Sequence, residues 1–137
     1  MYEYRCKVVH IVDGDTVDVD IDLGFGVWMK KQRIRLYGID TPESRTRDLE
    51  EKKYGLAAKK FLTGMLDDEA GIILKTYKDK EGKFGRILGE LWRITNYADQ
   101  SINEYMIEKH HAVRYYGQSK EDIEEQQLKN RELVSLS

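Results

Sequence analysis

A single cysteine, Cys6, excludes an internal disulfide and any metal centre built from paired thiolates. Its expected place is a packed position in the first strand. A single proline, Pro42, leaves no proline-rich linker, and no repeat or low-complexity tract divides the chain. No apolar run approaches the ~20 residues of a membrane-spanning helix. The opening MYEYRCKVVH carries Glu3, Arg5 and Lys7 where a signal peptide would be apolar. The expectation is therefore a cytoplasmic protein without membrane contact, secreted only if a leader has been removed. An excess of basic charge is missing too, because 23 Lys and Arg against 25 Asp and Glu leave a net charge of −2. That balance excludes a protein that holds phosphate backbones by bulk charge alone. Any affinity for nucleic acid must come from a local cluster, with or without a cation.

What is present suffices for one domain spanning residues 1–137. A chain of 137 residues with 40% hydrophobic side chains can bury about two thirds of its unfolded surface and needs no staples. Residues 5–12 read as a strand, followed by Asp13-Gly14, a hairpin signal that calls for positive φ at the turn. In the return strand Val17, Val19, Ile21 and Leu23 alternate with Asp18, Asp20 and Asp22, so one face is buried and one is wet. Residues 32–39 form a third strand with Ile34 and Leu36 inward, interrupted at Gly38. A polar stretch beginning at Glu43 reads as a mobile loop. Helical spacing of apolar residues then runs from about Glu51 to Leu66. Residues 72–77 and 86–94 read as a second hairpin across a charged loop. Ser101-Ile102-Asn103-Glu104 is a capping box that opens a short helix. A last, mostly polar helix begins at Ser119, with a thin apolar face of Ile123, Leu133 and Val134. Strands, a helix, more strands and terminal helices predict an α+β fold: a five-stranded antiparallel OB-fold barrel with about three helices.

Chemistry concentrates at strand ends. Asp15 and Asp40 fall where a small barrel would make them neighbours, and two close carboxylates either share a proton or bind a cation. Hard oxygen ligands without His or Cys favour Ca²⁺ or Mg²⁺. Pro42 pushes Thr41 toward an extended conformation that can aim its carbonyl at an ion. Glu43 is placed to hold a water as general base, while Arg35 and Arg86 offer planar forks for phosphate oxygens. Together they describe metal-assisted phosphodiester hydrolysis. Lys30, Lys31, Arg33 and Arg35 add local basic charge, whereas His10, His110 and His111 lack ligand-like spacing and read as structural or surface residues.

The ordered blocks VDGDTV (12–17), RIRLYGIDTPE (33–43), EKKYGLAAKKF (51–61), KFGR (83–86) and INEYMI (102–107) resemble the staphylococcal nuclease (thermonuclease-like) family over roughly residues 8 to 116. The resemblance implies Ca²⁺-dependent cleavage of DNA and RNA to 3′-phosphate and 5′-hydroxyl ends. It implies one Ca²⁺ ion held by Asp15, Asp40 and the Thr41 carbonyl, and a water positioned or deprotonated by Glu43. Arg35 and Arg86 would hold the phosphate, with Arg86 nearest the leaving oxygen. Lys83, Phe84, Tyr115 and Tyr116 would contact substrate. Phe84 replaces the family's usual tyrosine and loses a phosphate hydrogen bond. Tyr115 and Tyr116 are adjacent, so strand alternation would let only one of them, Tyr116, stack on a base. The final helix ends in LVSLS, without the family's tryptophan-containing end, and is expected to fray or to pair with another subunit. The expected partners are single-stranded or breathing DNA and RNA, bound by a monomer. Two other readings compete: a nuclease-like domain that binds nucleic acid or protein without catalysis, and a metal-free OB-fold binder of single strands. The first would be expected to lack Glu43, Asp40 or an arginine, and the second would need more aromatic residues along its strands.

Overall fold

The computed structural model describes residues 2–67, 71–77, 86–94 and 100–136. Its elements in order are β1 (Glu3–Asp13), β2 (Thr16–Gly24), β3 (Val27–Leu36), β4 (Ile39–Asp40), α1 (Leu49–Leu66), β5 (Ile72–Tyr77), β6 (Arg86–Arg93), α2 (Ile102–Glu108), β7 (Val113–Arg114) and α3 (Lys120–Arg131). Among the described residues, no helix is long and apolar enough to cross a membrane.

Period-two burial builds the barrel. Val17 and Val19 are fully buried on β2, Ile34 stands opposite Val17 on β3, and Leu36 is buried two residues further on. Leu23, expected inside, is 43% exposed. Register shifts at Val19/Ile21 and Asp22/Gly24 carry the end of β2 out of the barrel into a tip where Gly24, Phe25 and Gly26 all take positive φ. Five strands close in the order β1-β2-β3-β6-β5. A closed ring with an odd number of strands cannot alternate direction throughout, so the fully antiparallel barrel expected from patterning is corrected: β3 and β6 run parallel. That pairing sets Arg33 opposite Arg86 and Arg35 opposite Leu88, which brings the start of β6 to the end of β3 that carries Arg35.

The core joins these strands to α1 through Ala58, Leu62 and Leu66, and to α2 through Ile102 and Met106. Helix α1 begins two residues earlier than its apolar spacing suggested, because the Asp48 side chain accepts from the Glu50 and Glu51 amides at 3.1 and 3.2 Å. The loop before it is anchored where mobility was expected: Ser44 is buried, and both its amide and its hydroxyl donate to Asp13 Oδ1. Ser101 caps α2 as its motif requires, accepting from the Glu104 amide at 3.1 Å. Cys6 is buried in β1, and His111 is buried with its ring stacked on Phe61 at 4.8 Å.

Helix α3 buries no residue fully. Its expected apolar face is indeed thin, with Leu133 62% exposed. Polar contacts dock it instead: Asn130 Nδ2 donates to the Ala112 carbonyl at 3.1 Å, and the Arg131 guanidinium stands 5.1 Å from the Tyr54 ring.

Candidate active site

The β1–β2 turn falls on Gly14 and Asp15 rather than on Asp13 and Gly14, and neither Asp13 nor Gly14 takes the positive φ expected of an Asp-Gly hairpin. Glycine is needed at 14 for a different reason: a Cβ there would stand 2.8 Å from the Ala58 methyl and 3.1 Å from the Thr41 side chain. Helix α1 thus presses directly on the turn. It presses again at Gly55, where a Cβ would lie 2.2 Å from the Glu43 carbonyl oxygen. The backbone of Glu43 is seated on the helix.

These contacts fix a compact charged cluster. The Asp15 carbonyl accepts the Leu36 amide at 2.8 Å, tying the turn to the end of β3. The Asp15 carboxylate accepts from Thr16 Oγ1 at 3.0 Å and from the Thr41 amide at 3.1 Å, and it is buried. Arg35 Nη2 spans both acids, 3.5 Å from Asp15 Oδ2 and 3.3 Å from Asp40 Oδ1, while Nη1 donates to the Leu36 carbonyl at 3.0 Å. The second oxygen of Asp40 accepts from Gln127 Nε2 of α3 at 2.8 Å. One guanidinium does not balance the acids around it. Burial first, and then the Asp15 charge, push the Asp40 carboxyl up to about 6 against the opposing pull of Arg35 and Gln127, and Glu43 adds to the rise.

This arrangement fits a hard divalent cation. Its donors are carboxylate oxygens in a net acidic setting, and the neighbouring Thr41 Oγ1 is buried without a hydrogen-bond partner. Among the described residues no three His, Cys, Asp or Glu side chains converge as a ready-made cage. An ion here would therefore take two carboxylates and complete its shell with peptide oxygen and water.

An open cleft of about 890 Å³ is lined by Asp15, Arg35, Asp40, Thr41, Glu43 and Arg86. All six residues expected to carry chemistry meet there. Glu43 and Arg86 are exposed to it. Tyr115 and Tyr116 line the same cleft. Strand alternation does not separate them, because β7 ends at Arg114 and the chain bends before Gly117, whose φ is +91°. The Tyr115 amide donates to the Gly38 carbonyl at 2.8 Å, and the β4–β7 pairing sets Asp40 opposite Val113. Lys83 and Phe84 lie outside the described residues.

Sequence reading missed Gln127 and Tyr37, both of which line the cleft. A polar glutamine on a polar helix carries no local signal. Tyr37 follows β3, where nothing local marks its ring as part of this wall.

Residues 33–134 match the family described as staphylococcal nuclease homologue. A thermonuclease of Staphylococcus hyicus is 32% identical over 90 residues, covering 66% of this chain and 49% of its own length. Protein ParB of Escherichia coli is 38% identical over 90 residues, covering 66% of this chain and 42% of its own. An uncharacterized protein of Bacillus anthracis is 39% identical over 82 residues, covering 60% and 36%. In each case the chain aligns with between about a third and a half of the relative.

Proposed function

This chain belongs to the family of staphylococcal nuclease homologues, and from that premise we propose that it is a Ca²⁺-dependent, largely sequence-nonspecific nuclease that hydrolyses DNA and RNA to 3′-phosphate and 5′-hydroxyl ends. Support comes from the relatives named thermonuclease. The observation that carries the reading is the acid-rich Asp15–Arg35–Asp40 cluster opening on a cleft that also receives Glu43 and Arg86.

Asp15, Asp40 and the Thr41 peptide oxygen would hold the ion. When bound, calcium supplies a positive charge that polarises the scissile phosphate and offsets charge building on its oxygens. Glu43, exposed in the cleft, holds the attacking water or takes its proton. Arg35 and Arg86 grip the phosphate from adjoining strands, and their forked donors stabilise the transition state as its charge grows. As water adds to phosphorus and gives up its proton to Glu43, the P–O5′ bond breaks, and the leaving oxygen beside Arg86 takes a proton from solvent water to become the 5′-hydroxyl. Tyr115 and Tyr116, both exposed, offer a stacking wall that favours unpaired strands.

The test is an assay on denatured DNA and on RNA, in calcium and in chelator, with end-labelled products. Cleavage should require calcium and leave 3′-phosphates, and Glu43→Gln and Arg86→Ala should each lower kcat by about 10²–10³. Calcium-independent cleavage, or undiminished activity in both variants, rejects the mechanism. Calcium-dependent binding without cleavage identifies instead a nuclease-like domain that only binds.

A further inference from the structure

Tyr37 is held more firmly than a surface tyrosine needs to be. It follows β3, and its amide donates to the Gly89 carbonyl at 2.8 Å while its own carbonyl accepts from Asn103 Nδ2 at 2.9 Å. Asn103 is buried and also reaches the Gly89 carbonyl at 3.2 Å. The Tyr37 ring lies on Tyr77 with centroids 4.1 Å apart and planes 13° from parallel. Tyr77 is itself braced. Its hydroxyl donates to Glu90 Oε2, and Glu90 Oε1 accepts the Trp92 indole N–H at 3.0 Å. Lys75 Nζ covers the Trp92 ring at 4.2 Å.

Despite these restraints Tyr37 is 46% exposed and borders the cleft that holds Arg35 and Arg86. The next residue, Gly38, accepts the Tyr115 amide. Tyr37 and the Tyr115–Tyr116 pair are thus tied to one peptide segment, and all three rings border the cleft. A rigid ring already backed by another ring loses little freedom when a base covers its open side. Glu90, which accepts from the Tyr77 hydroxyl, adds negative charge at the edge of the stack.

We propose that Tyr37, buttressed by Tyr77, is a second base-stacking surface of the cleft, so that the substrate is an unpaired strand whose bases splay onto two walls. This deepens the nuclease reading and rests on it for the chemistry, although the stacking itself does not depend on turnover. Its preferred substrate is single-stranded nucleic acid of at least two nucleotides, with little discrimination among bases because every base has a stacking face.

The decisive comparison sets a single-stranded hexanucleotide beside a nitrophenyl ester of a mononucleotide phosphate, which offers only one base. Tyr37→Leu should raise KM for the hexanucleotide about five- to a hundredfold more than KM for the ester, from the loss of one stacked base. Tyr37→Phe should restore most of the difference, and Tyr77→Leu should give an intermediate one. A parallel measurement uses Glu43→Gln protein and a hexanucleotide containing 2-aminopurine, whose fluorescence should be quenched on binding and should recover when Tyr37→Leu is added. Equal effects on both substrates, or unchanged quenching, would overturn the proposal. Should wild-type protein cleave neither substrate, the nuclease reading fails, and the quenching result alone decides for or against Tyr37. Where Tyr37→Leu does not fold, as judged by circular dichroism, Tyr77→Leu reads the same contrast.

Discussion

Asp18 and Asp20, on the wet face of β2, each meet a cation of β3: Arg33 at 2.9 Å and Lys30 at 3.3 Å. A hydrogen bond from Arg33 holds the Asp18 carboxyl below its ordinary range, and the Lys31 amide, followed by Lys30, does the same for Asp20. Beyond the end of those strands, Asp15 in the β1–β2 turn and Asp40 of β4 share the guanidinium of Arg35, and Asp40 is pushed up instead. Asp18 and Asp20 are balanced pair by pair, whereas among the described residues the Asp15–Asp40 pair is left acidic and largely buried. The balanced pairs serve register and solubility. Ionised Asp40 is held at a cost in folding free energy, a perturbation that clusters at functional sites.

The largest way to break the contrast is Gly55→Ala. The added methyl meets the Glu43 peptide rather than a pliable side chain, so the loop must move or α1 must back away. The expected loss is roughly 2–3 kcal/mol by urea titration, despite better helix propensity. The fall in kcat should be out of proportion to the fraction unfolded, while the pairing of Asp18 with Arg33 persists.

A second test exchanges single acids in chelator. Asp40→Asn should raise stability by roughly 1–2 kcal/mol, discounted from the full linkage value because the carboxylate is partly solvated and its partners lose a charge. Assayed separately in calcium, it should also abolish activity. Asp18→Asn should lower stability slightly, as expected for an exposed pair. The two also differ in sign with pH. Native Asp40 keeps its proton to about pH 6, whereas the unfolded chain releases it near 3.8. Native protein therefore binds more protons between those values, and wild-type stability falls relative to Asp40→Asn as pH rises through 6. For Asp18, lowered in the native state, the stabilisation is present above the ordinary carboxylate value and lost on acidification. Parallel curves for the two variants would refute the contrast.

The smallest expected effect sharpens it. Gln127→Ala removes the donor to Asp40 Oδ2 and should cost about 1 kcal/mol or less in stability. Because α3 buries no residue fully, the same change should speed proteolysis within residues 120–131 and weaken calcium affinity severalfold by calorimetry.

Local patterns in the chain set the strands, the caps at Ser101 and Ser119, and the cysteine in the core, because side-chain periodicity and capping are decided over a few residues. That Asp15, Arg35, Asp40, Thr41, Glu43 and Arg86 would meet at one cleft was legible too, since each stands at a strand end or in the turn or loop beside one. Tertiary structure alone decided three matters. Closure of five strands into a ring forced one parallel pair and carried Arg86 to the strand bearing Arg35. The approach of α1 made glycine obligatory at 14 and 55. Docking of a polar helix delivered Gln127 to Asp40. Each depends on contacts between residues far apart in the chain, and no local period records what will be pressed against it.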